Sequence, residues 1–558
     1  MAQLRRFTAA GAAAVLLLVY VGLSFLNSTE GYLGTDTGGK VATLKVMTAR
    51  GSFDPDVGYW AETWDPAGTL HPLAYTMHPG PGRWVNVTTL PALFVGWHLY
   101  RVGGYRAALL LPMLGSVAAA LAARALLRRL RVSERRAWAG FWLMGLASPL
   151  TIYALDFWEH SIGVALAAWA VVLVVDILQR GAGGVGWRPV AAGVLLGSAA
   201  TMRTEALVYL AVTVVVMVVV LLFRRVGVGR GLAAGALLAL GALVPLALNE
   251  LAERKVVGSS VRGPRALGTA TAAGDAPSTR LEEAAVTTLA ASGDGRGLLL
   301  GAVISGLLVV GVLRRDQGVA VTALAGVGAL LALRAAVDWL GFVPGLVPAA
   351  PLSAAAVAVL HRGGGQVRFG DGLTRGMART VSVIAVAAMP VVLATQFRGG
   401  AAPQWGGRYL LVSGALLAIV GWALLSERPV PVQAACAMLA VAVTVFGLVW
   451  TSVRTSDVAR TVAALDHRRE PVVVSGVYHL AREGGAFYGS KRWLTLGPGA
   501  GPSAATAVLG AAGVDSFASV EFASDPPVLY PGYELVNSGG LRLFDGVELR
   551  VASWRRGS

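Results

Sequence analysis

Asp36 stands in the segment Asn27–Lys40, whose sequence is NSTEGYLGTDTGGK. An apolar run of spanning length covers residues 8–26 directly before this segment, and Arg5 and Arg6 flank its start. The carboxylate of Asp36 is therefore expected where a membrane helix emerges into water, and an acid at such a position is a candidate catalyst. An exposed loop is the alternative, because Gly, Thr and Asp are common turn residues.

A second group of ionisable residues lies in the short sequence DFWEH, which starts at Asp156 and ends at His160. It falls between two apolar runs, so that we expect it at the membrane edge. Asp156 with Glu159 or His160 could hold a divalent cation or orient an acceptor hydroxyl. The wet end of a helix is the simpler alternative, and the spacing does not decide between them.

Two arginines interrupt apolar sequence. Arg203 lies in TMRTEAL, and Arg408 lies in PQWGGRYLLVSGALL beside Tyr409. An arginine at membrane depth is costly without a partner, and a phosphate suits its planar geometry. An ion pair with Glu205 is the alternative for Arg203. The sequence therefore predicts phosphate contacts for both arginines, with Tyr409 as a substrate-binding neighbour.

Two tryptophans at helical spacing, Trp60 and Trp64, lie in the long segment between the first two apolar runs, residues 27–106. Segments of about 80 residues between spans are usually functional. These indoles could stack on a sugar ring or anchor the chain in the membrane interface.

The rest of the chain predicts membrane helices that must position these residues. The 558 residues are 55% hydrophobic, with a mean hydropathy of +0.63, which is more apolar mass than one soluble core encloses. About 13 runs are long enough to span a bilayer. They cover residues 8–26, 106–126, 138–154, 159–178, 188–202, 204–222, 230–249, 297–313, 318–336, 343–360, 378–395, 408–425 and 431–451.

The basic residues favour one orientation. The formal charge is +16, but the arginines cluster between apolar runs instead of along one stripe, which argues for positive-inside anchoring and against nucleic acid. With a cytoplasmic N-terminus and an interfacial helix at 88–103, the candidate site residues all fall on the outer face. Cys436 is the only cysteine, so that an internal disulfide is excluded.

The C-terminal part changes character. Residues 1–451 are predicted as the transmembrane catalytic domain, and residues 452–558 as a small extracytoplasmic α/β domain. Strand patterns occur in PVVVSGVYHL, RWLTL, SFASVEF and LRLFDGVELRVASW, with the helical AATAVLGAAGV among them. The small and polar residues of 258–279 predict an external loop.

This layout resembles the C superfamily of glycosyltransferases (GT-C), which includes oligosaccharyltransferase, protein O-mannosyltransferases and the lipid A aminoarabinose transferase. The resemblance is carried by Asp36 after the first span, by ASPLTIYALDFWEHSIGVALA at 147–167 and by QWGGRYLL at 404–411. Many spans followed by an outer C-terminal domain are also similar to that group.

The resemblance implies an inverting hexosyl- or pentosyltransferase. The donor would be a polyprenyl-phosphate sugar, and the acceptor a hydroxyl of an extracytoplasmic envelope glycan, lipid or protein. Asp36 would be the general base, with Asp156 or Glu159 able to share that role. The residues implied to stabilise the leaving phosphate are Arg408, Arg203, Lys40 and His160.

One departure from the group is the first loop, where Thr35 and Thr37 flank Asp36 in place of a second acid. No cofactor is certain, and a divalent cation stays an alternative. Two rival functions remain: a transporter or flippase of lipid-linked sugars, and a non-catalytic envelope assembly protein. Sugar transfer requires Asp36, Glu159 and Arg408 to meet at one cavity beside the lipid.

Overall fold

The computed structural model describes residues 2–181, 186–261, 277–291, 295–314, 316–339, 341–356, 372–395, 405–497, 499–543 and 546–557. The first half of the chain contains the helices α1 (Ala2–Leu23), α2 (Thr35–Arg50), α3 (Leu90–Ala108), α4 (Leu110–Arg129), α5 (Glu134–Leu146), α6 (Pro149–Tyr153), α7 (His160–Arg180), α8 (Trp187–Met202), α9 (Ala206–Phe223) and α10 (Val228–Val256). The second half contains α11 (Pro277–Leu289), α12 (Gly295–Leu313), α13 (Gln317–Val337), α14 (Leu346–Ala349), α15 (Gly372–Thr395), α16 (Leu411–Leu425), α17 (Val430–Asp466), α18 (Leu480–Glu483) and α19 (Pro502–Ala511).

The predicted membrane architecture is confirmed, although the number of spans is not. Within the described residues, nine helices are long and apolar enough to cross a bilayer, against about 13 runs expected from the sequence. The nine segments are Ala9–Leu26, Leu110–Arg129, His160–Arg180, Ala206–Phe223, Val228–Val256, Gln317–Val337, Thr374–Thr395, Arg408–Leu425 and Val430–Asp466. The chain is a multi-pass membrane protein.

Prolines explain part of the difference. The run at 138–154 is divided because α5 ends at Leu146 and α6 begins at Pro149, with the Ser148 hydroxyl accepting a hydrogen bond from the Leu150 N–H. Proline is well suited to a helix start and unsuited to a helix interior. The run at 343–360 likewise holds α14 and a 3-10 helix at Pro351–Ala356, while its last residues lie outside the described part.

Two further runs form helices whose apolar parts are shorter than the nine candidate spans. The run at 188–202 is α8, with 16 residues, and the run at 297–313 is the shorter apolar part of α12. The segment at 88–103 is the helix α3, which is not among the nine candidates, and the positive φ of Gly104 kinks it. Most of the predicted external loop at 258–279 lies outside the described residues.

The chain forms two compact units. The first, which we call the helical unit, comprises Met1–Gly22, Leu111–Asn249 and Ala266–Val449. The second, the mixed unit, comprises Leu23–Leu110, Glu250–Arg265 and Trp450–Ser558. The long segment after the first span therefore groups with the C-terminal residues. The functional domain boundaries expected from the sequence, 1–451 and 452–558, stay a prediction.

The predicted small C-terminal sheet is confirmed, and all its strands belong to the mixed unit. The strands are β1 (Thr76–Gly80), β2 (Arg83–Asn86), β3 (Val472–Ser475), β4 (Arg492–Thr495), β5 (Ser516–Phe522), β6 (Tyr533–Arg542) and β7 (Glu548–Arg556). β1 and β2 form an antiparallel pair, and the other five form a sheet in the order β4-β3-β5-β7-β6. β3 is parallel to both β4 and β5.

The two parts of the mixed unit share one hydrophobic core. Tyr59 and Trp84 from the first segment are buried in the same cluster as Val474 and Phe517 from the sheet. The indole N–H of Trp60 donates to the carbonyl of Trp493 at 2.9 Å. Because this burial removes apolar area from water in both segments at once, each stabilises the fold of the other.

Candidate active site

Three helix starts surround one pocket in the helical unit. The pocket is lined by the first turn of α7 from His160, by the entry to α9 at Arg203, Glu205 and Ala206, and by the entry to α16 from Arg408. Each helix N-terminus presents backbone N–H groups and the positive end of its dipole. Three of them around one pocket, together with two guanidinium groups, favour an anion there.

Both predicted arginines of this pocket pack on the same ring. The guanidinium carbon of Arg408 lies 4.7 Å from the ring centroid of Tyr409, and that of Arg203 lies 5.4 Å from it. Arg408 also donates to the Tyr409 hydroxyl at 2.7 Å. Arg408 is 7% exposed, so that it acts in a largely dehydrated setting where charge interactions are strong.

Arg203 also forms the ion pair with Glu205 that the sequence offered as the alternative to a phosphate contact. Its Nε lies 2.9 Å from Oε1 of Glu205, whose side chain is 5% exposed. Glu205 therefore compensates one of the two guanidinium charges in the pocket lining. A phosphate would add to this arrangement because a guanidinium offers five donors, and one carboxylate oxygen engages only part of them.

The DFWEH cluster is buried instead of lying at a wet helix end. Asp156, Glu159 and His160 are 1%, 3% and 2% exposed. The His160 ring lies 5.0 Å from the ring of Trp158, which in turn lies 5.1 Å from the Arg408 guanidinium. The cluster therefore packs directly beside the arginine pocket.

Among the described residues there is no group of three His, Cys, Asp or Glu side chains suited to hold a metal ion. The divalent cation that the sequence left open stays an expectation.

Two glycines set the backbone that leads to Arg408. Gly406 and Gly407 have φ of 76° and 63°, in the left-handed region that favours glycine. A Cβ on Gly406 would lie 2.7 Å from Cγ of Pro149, and one on Gly407 would lie 2.6 Å from the carbonyl oxygen of Thr287. The glycines of QWGGRYLL thus allow a tight turn against neighbouring elements.

In the mixed unit, Asp36 lies in the first turn of α2. The structure therefore differs from the exposed-loop alternative, and a carboxylate at this position is stabilised by the helix dipole. Its side chain is 30% exposed, which leaves it accessible to a substrate. Lys40 lies one turn further along α2 and is 5% exposed.

Asp36 forms an ion pair that the sequence did not predict. Nη2 of Arg482, in α18, lies 3.3 Å from Oδ1 of Asp36. Arg482 is 2% exposed, donates to the carbonyl of Ala74 at 2.6 Å, and lies 5.0 Å from the ring centroid of Tyr75. The buried guanidinium is thus fixed from several sides.

Aromatic rings adjoin this ion pair. Tyr75 is 42% exposed and stacks on His479 with a centroid separation of 5.8 Å, while Tyr478 meets its edge at 6.4 Å. Burial, followed by the charge of Arg482, lowers the pKa of His479, whereas Asp36 raises it. The imidazole is therefore neutral at pH 7.

The two tryptophans predicted to bind sugar differ in environment. Trp60 is half-buried against the core, donates to the Trp493 carbonyl and lies 5.3 Å from the Arg492 guanidinium, and its role in sugar binding stays a prediction. Trp64 is 40% exposed and stays a candidate for stacking.

The structure collects the predicted residues into two groups. Asp156, Glu159, His160, Arg203, Arg408 and Tyr409 are together in the helical unit, whereas Asp36, Lys40, Trp60 and Trp64 belong to the mixed unit. Their convergence on one cavity stays a prediction. Arg482, Tyr75 and His479 were not predicted from the sequence. The segment GVYHLARE nevertheless follows the carboxyl end of the parallel strand β3, a frequent place for functional residues.

No family model and no curated protein match the sequence. Solved structures with a similar chain course include the oligosaccharyltransferase of Archaeoglobus fulgidus in complex with zinc and sulfate. It has 12% identity and a TM-score of 0.43, over 90% of this chain and 67% of that one.

Two further structures are of ArnT from Cupriavidus metallidurans. The form bound to undecaprenyl phosphate has 12% identity and a TM-score of 0.47, over 99% of this chain and 98% of that one. The apo form has 14% identity and a TM-score of 0.39, over 98% of each chain. ArnT and oligosaccharyltransferase are both GT-C glycosyltransferases, the group that the sequence resembles.

Proposed function

We propose that this protein is a membrane glycosyltransferase that moves a monosaccharide from a polyprenyl-phosphate donor to an acceptor hydroxyl. The acceptor is an extracytoplasmic glycan, glycolipid or protein of the cell envelope. In this proposal the N-terminus is cytoplasmic and residues 452–558 lie on the opposite side, as the positive-inside distribution favours.

The observation that supports the donor assignment is the pocket at the starts of α7, α9 and α16. It combines two arginines with three helix N-termini at the ends of membrane-spanning helices. A lipid phosphate carries its negative charge at the edge of the bilayer, where such a pocket would receive it. Arg203 and Arg408 then stabilise the phosphate as it leaves with both electrons of the bond to the sugar.

Asp36 is the general base that activates the acceptor hydroxyl. The acceptor oxygen attacks the anomeric carbon as the carbon–oxygen bond to the phosphate breaks, and the hydroxyl proton passes to the Asp36 carboxylate. One displacement inverts the anomeric configuration. A positioned carboxylate accelerates such a step by roughly 10² to 10⁴. The proposal requires that the arginine pocket and Asp36 act on the same donor molecule.

The rival functions are a flippase of lipid-linked sugars and a non-catalytic assembly protein. A transporter usually carries its ionisable groups within the spans near the midplane. Here the ionisable groups of the pocket lie at helix starts, at Arg203, Glu205 and Arg408. This position favours chemistry at the membrane edge over passage through the bundle.

The test uses the full-length protein in lipid nanodiscs with a panel of polyprenyl-phosphate sugars and an envelope fraction as acceptor. Transfer of radiolabelled sugar is measured for the wild type, for Asp36→Asn and for Asp54→Asn. Asp54 is the matched control, because it is another carboxylate of the mixed unit that pairs with an arginine, Arg83, at 2.8 Å. We expect a loss of about 10²-fold or more for Asp36→Asn and near-wild-type transfer for Asp54→Asn.

Undiminished transfer by Asp36→Asn would remove this residue as the base. Absence of transfer for every donor, together with movement of a fluorescent lipid-linked sugar across proteoliposomes, would support the flippase.

A further inference from the structure

We propose that Arg482 is a positioning residue for Asp36, so that the C-terminal segment completes the active site. This inference rests on the proposed role of Asp36 as the base. The ion pair joins the first segment of the mixed unit to its C-terminal segment, and the contacts of Arg482 hold its guanidinium in place.

The guanidinium of Arg482 is immobilised. It is 2% exposed, its Nη1 donates to the Ala74 carbonyl at 2.6 Å, and its plane lies beside the ring of Tyr75 at 5.0 Å. A donor held in this way fixes the orientation of the carboxylate that it contacts, 3.3 Å away. Asp36 is the more exposed member of the pair, with 30% of its side chain exposed.

The glycines in the sequence TDTGGK around Asp36 leave room for Arg482 to pack closely. A Cβ on Gly38 would lie 2.0 Å from the carbonyl oxygen of Arg482, and a Cβ on Gly39 would lie 2.7 Å from its Nε. On the other side, a Cβ on Gly485 would lie 1.9 Å from the carbonyl oxygen of Gly38. Glycines at these three positions let α18 and α2 approach closely enough for the ion pair to form.

The charge of Arg482 also favours the ionised form of the carboxylate. A general base must be unprotonated to accept the hydroxyl proton, and a guanidinium within a few ångströms of a carboxyl favours its ionisation. Glu483, the next residue in the chain, pairs with Arg454 at 2.8 Å. The two arginines thus pair with different carboxylates. Arg482 holds Asp36, whereas Arg454 ties α18 to α17 and also donates to the Leu33 carbonyl at 2.8 Å.

This separation gives a matched control. Full-length wild type, Arg482→Gln, Arg482→Lys and Arg454→Gln are compared in the transfer assay from pH 4.5 to 9.5, with thermal unfolding measured in parallel. For Arg482→Gln we expect kcat at pH 7 to fall about 10- to 100-fold with little change in acceptor KM, because orientation and ionisation are lost but binding is not.

The pH profile separates positioning from folding. Without Arg482 the acid limb should move to higher pH by about one unit or more, and activity should partly return at alkaline pH, because the carboxyl ionises there unaided. Arg482→Lys should restore part of the rate and of the limb. Arg454→Gln should lower the unfolding temperature and leave the acid limb in place.

An acid limb that is the same in Arg482→Gln, Arg482→Lys and the wild type would overturn this inference while leaving Asp36 as the base. Full transfer by Asp36→Asn would instead remove the base and, with it, the role of Arg482.

A second inference rests on the backbone of Tyr75. This residue has a φ of 61°, in the left-handed region that a bulky side chain rarely adopts, and its ring is nevertheless 42% exposed. Nδ1 of the adjoining His479 is buried and has no hydrogen-bond partner among the described residues. The exposed Tyr75 ring is suited to stack on the apolar face of a sugar, and the buried imidazole that stacks on this ring supports it from the protein side.

We infer that Tyr75, supported by His479, binds a sugar ring of the acceptor, which makes the acceptor a glycan or glycolipid. Tyr75 borders Arg482, and Arg482 contacts Asp36, so that a ring bound there would present a hydroxyl near the base. This inference also rests on the proposed function for its chemistry, but binding can be measured without transfer.

The test exploits the strained backbone. Tyr75→Gly relieves the positive φ, which offsets part of the stability lost with the contacts of the ring to Arg482 and His479. Thermal unfolding and kcat are therefore measured beside KM. Arg225→Gly relieves a φ of 55° in the helical unit and serves as the control. We expect Tyr75→Gly to raise acceptor KM about tenfold, with donor KM unchanged, and Tyr75→Phe to stay near the wild type.

Saturation-transfer NMR with linear hexose and pentose trisaccharides, without donor, gives the independent measurement. Signals lost in Tyr75→Gly and retained in Tyr75→Phe and Arg225→Gly would support the sugar subsite. Equal signals in the wild type and Tyr75→Gly, or signals in neither, would overturn it.

Discussion

The α-carbon of Gly38 faces the backbone carbonyl of Arg482 so closely that an added Cβ would lie 2.0 Å from its oxygen. Since backbone cannot yield as a flexible side chain does, α2 and α18 would have to separate. We expect Gly38→Ala to destabilise the protein by about 1–3 kcal/mol and to reduce transfer. The measurement is thermal unfolding together with the transfer assay. Gly80→Ala is the control, because a Cβ there meets nothing within 4 Å.

The arginine pocket predicts a donor effect. Removing a charged hydrogen-bond donor from a buried phosphate site costs about 1.5–3 kcal/mol, equivalent to a 10- to 150-fold rise in donor KM. We expect this rise for Arg408→Ala, a smaller one for Arg203→Ala because of its Glu205 partner, and no acceptor effect from either. Arg188→Ala, which removes a half-buried arginine of the same unit whose guanidinium lies 5.2 Å from the Trp187 ring centroid, should leave donor KM unchanged. An unchanged donor KM in Arg408→Ala would contradict the phosphate assignment.

Acid should weaken the mixed unit through His71. Burial lowers the pKa of His71 to about 4, from 6.5 for an unfolded imidazole. Its Nδ1 accepts from the Leu73 N–H at 3.1 Å, so that Nε2 carries the proton and donates to the Gly58 carbonyl at 3.3 Å. The unfolded chain binds the extra proton more readily, and stability is therefore complete above pH 6.5 and lost progressively toward pH 4.

The expected loss is on the order of 3 kcal/mol across this window. Unfolding temperatures measured from pH 7.5 to 4 test it. His71→Gln should flatten the pH dependence, while His78→Gln should retain it, because the His78 ring is partly exposed although it stacks on the same Trp84. A wild-type protein with a constant unfolding temperature over this range would refute the prediction.

Trp60 should affect stability instead of acceptor binding. Trp60→Phe removes the 2.9 Å hydrogen bond to Trp493 and keeps most of the apolar contact, so that we expect a loss of about 1 kcal/mol. Acceptor KM should not change. A large rise in acceptor KM without loss of stability would restore the sugar-stacking role that the sequence suggested.

The sequence alone was sufficient for features that depend on local pattern. Long apolar runs predicted a multi-pass membrane protein, and alternating β-branched residues predicted the strands near Val472, Ser516 and Glu548. Both predictions were correct because the transfer of apolar side chains from water depends mainly on residue type. The run at 138–154 failed as one span because Ser148 and Pro149 end one helix and start another, a local signal that hydropathy averages away.

Only the tertiary structure decided which distant groups meet. Arg482 and Ala74 are 408 positions apart, yet they share a hydrogen bond beside Asp36, and the segment after the first span shares its core with the C-terminal sheet. Nothing in the local sequence of AREGG identifies a partner, because an ion pair depends on the packing of both helices. The sequence thus determined the membrane class and the candidate acids and arginines, whereas close approach at glycines such as Gly38 decided that the partner of Asp36 is a buried arginine.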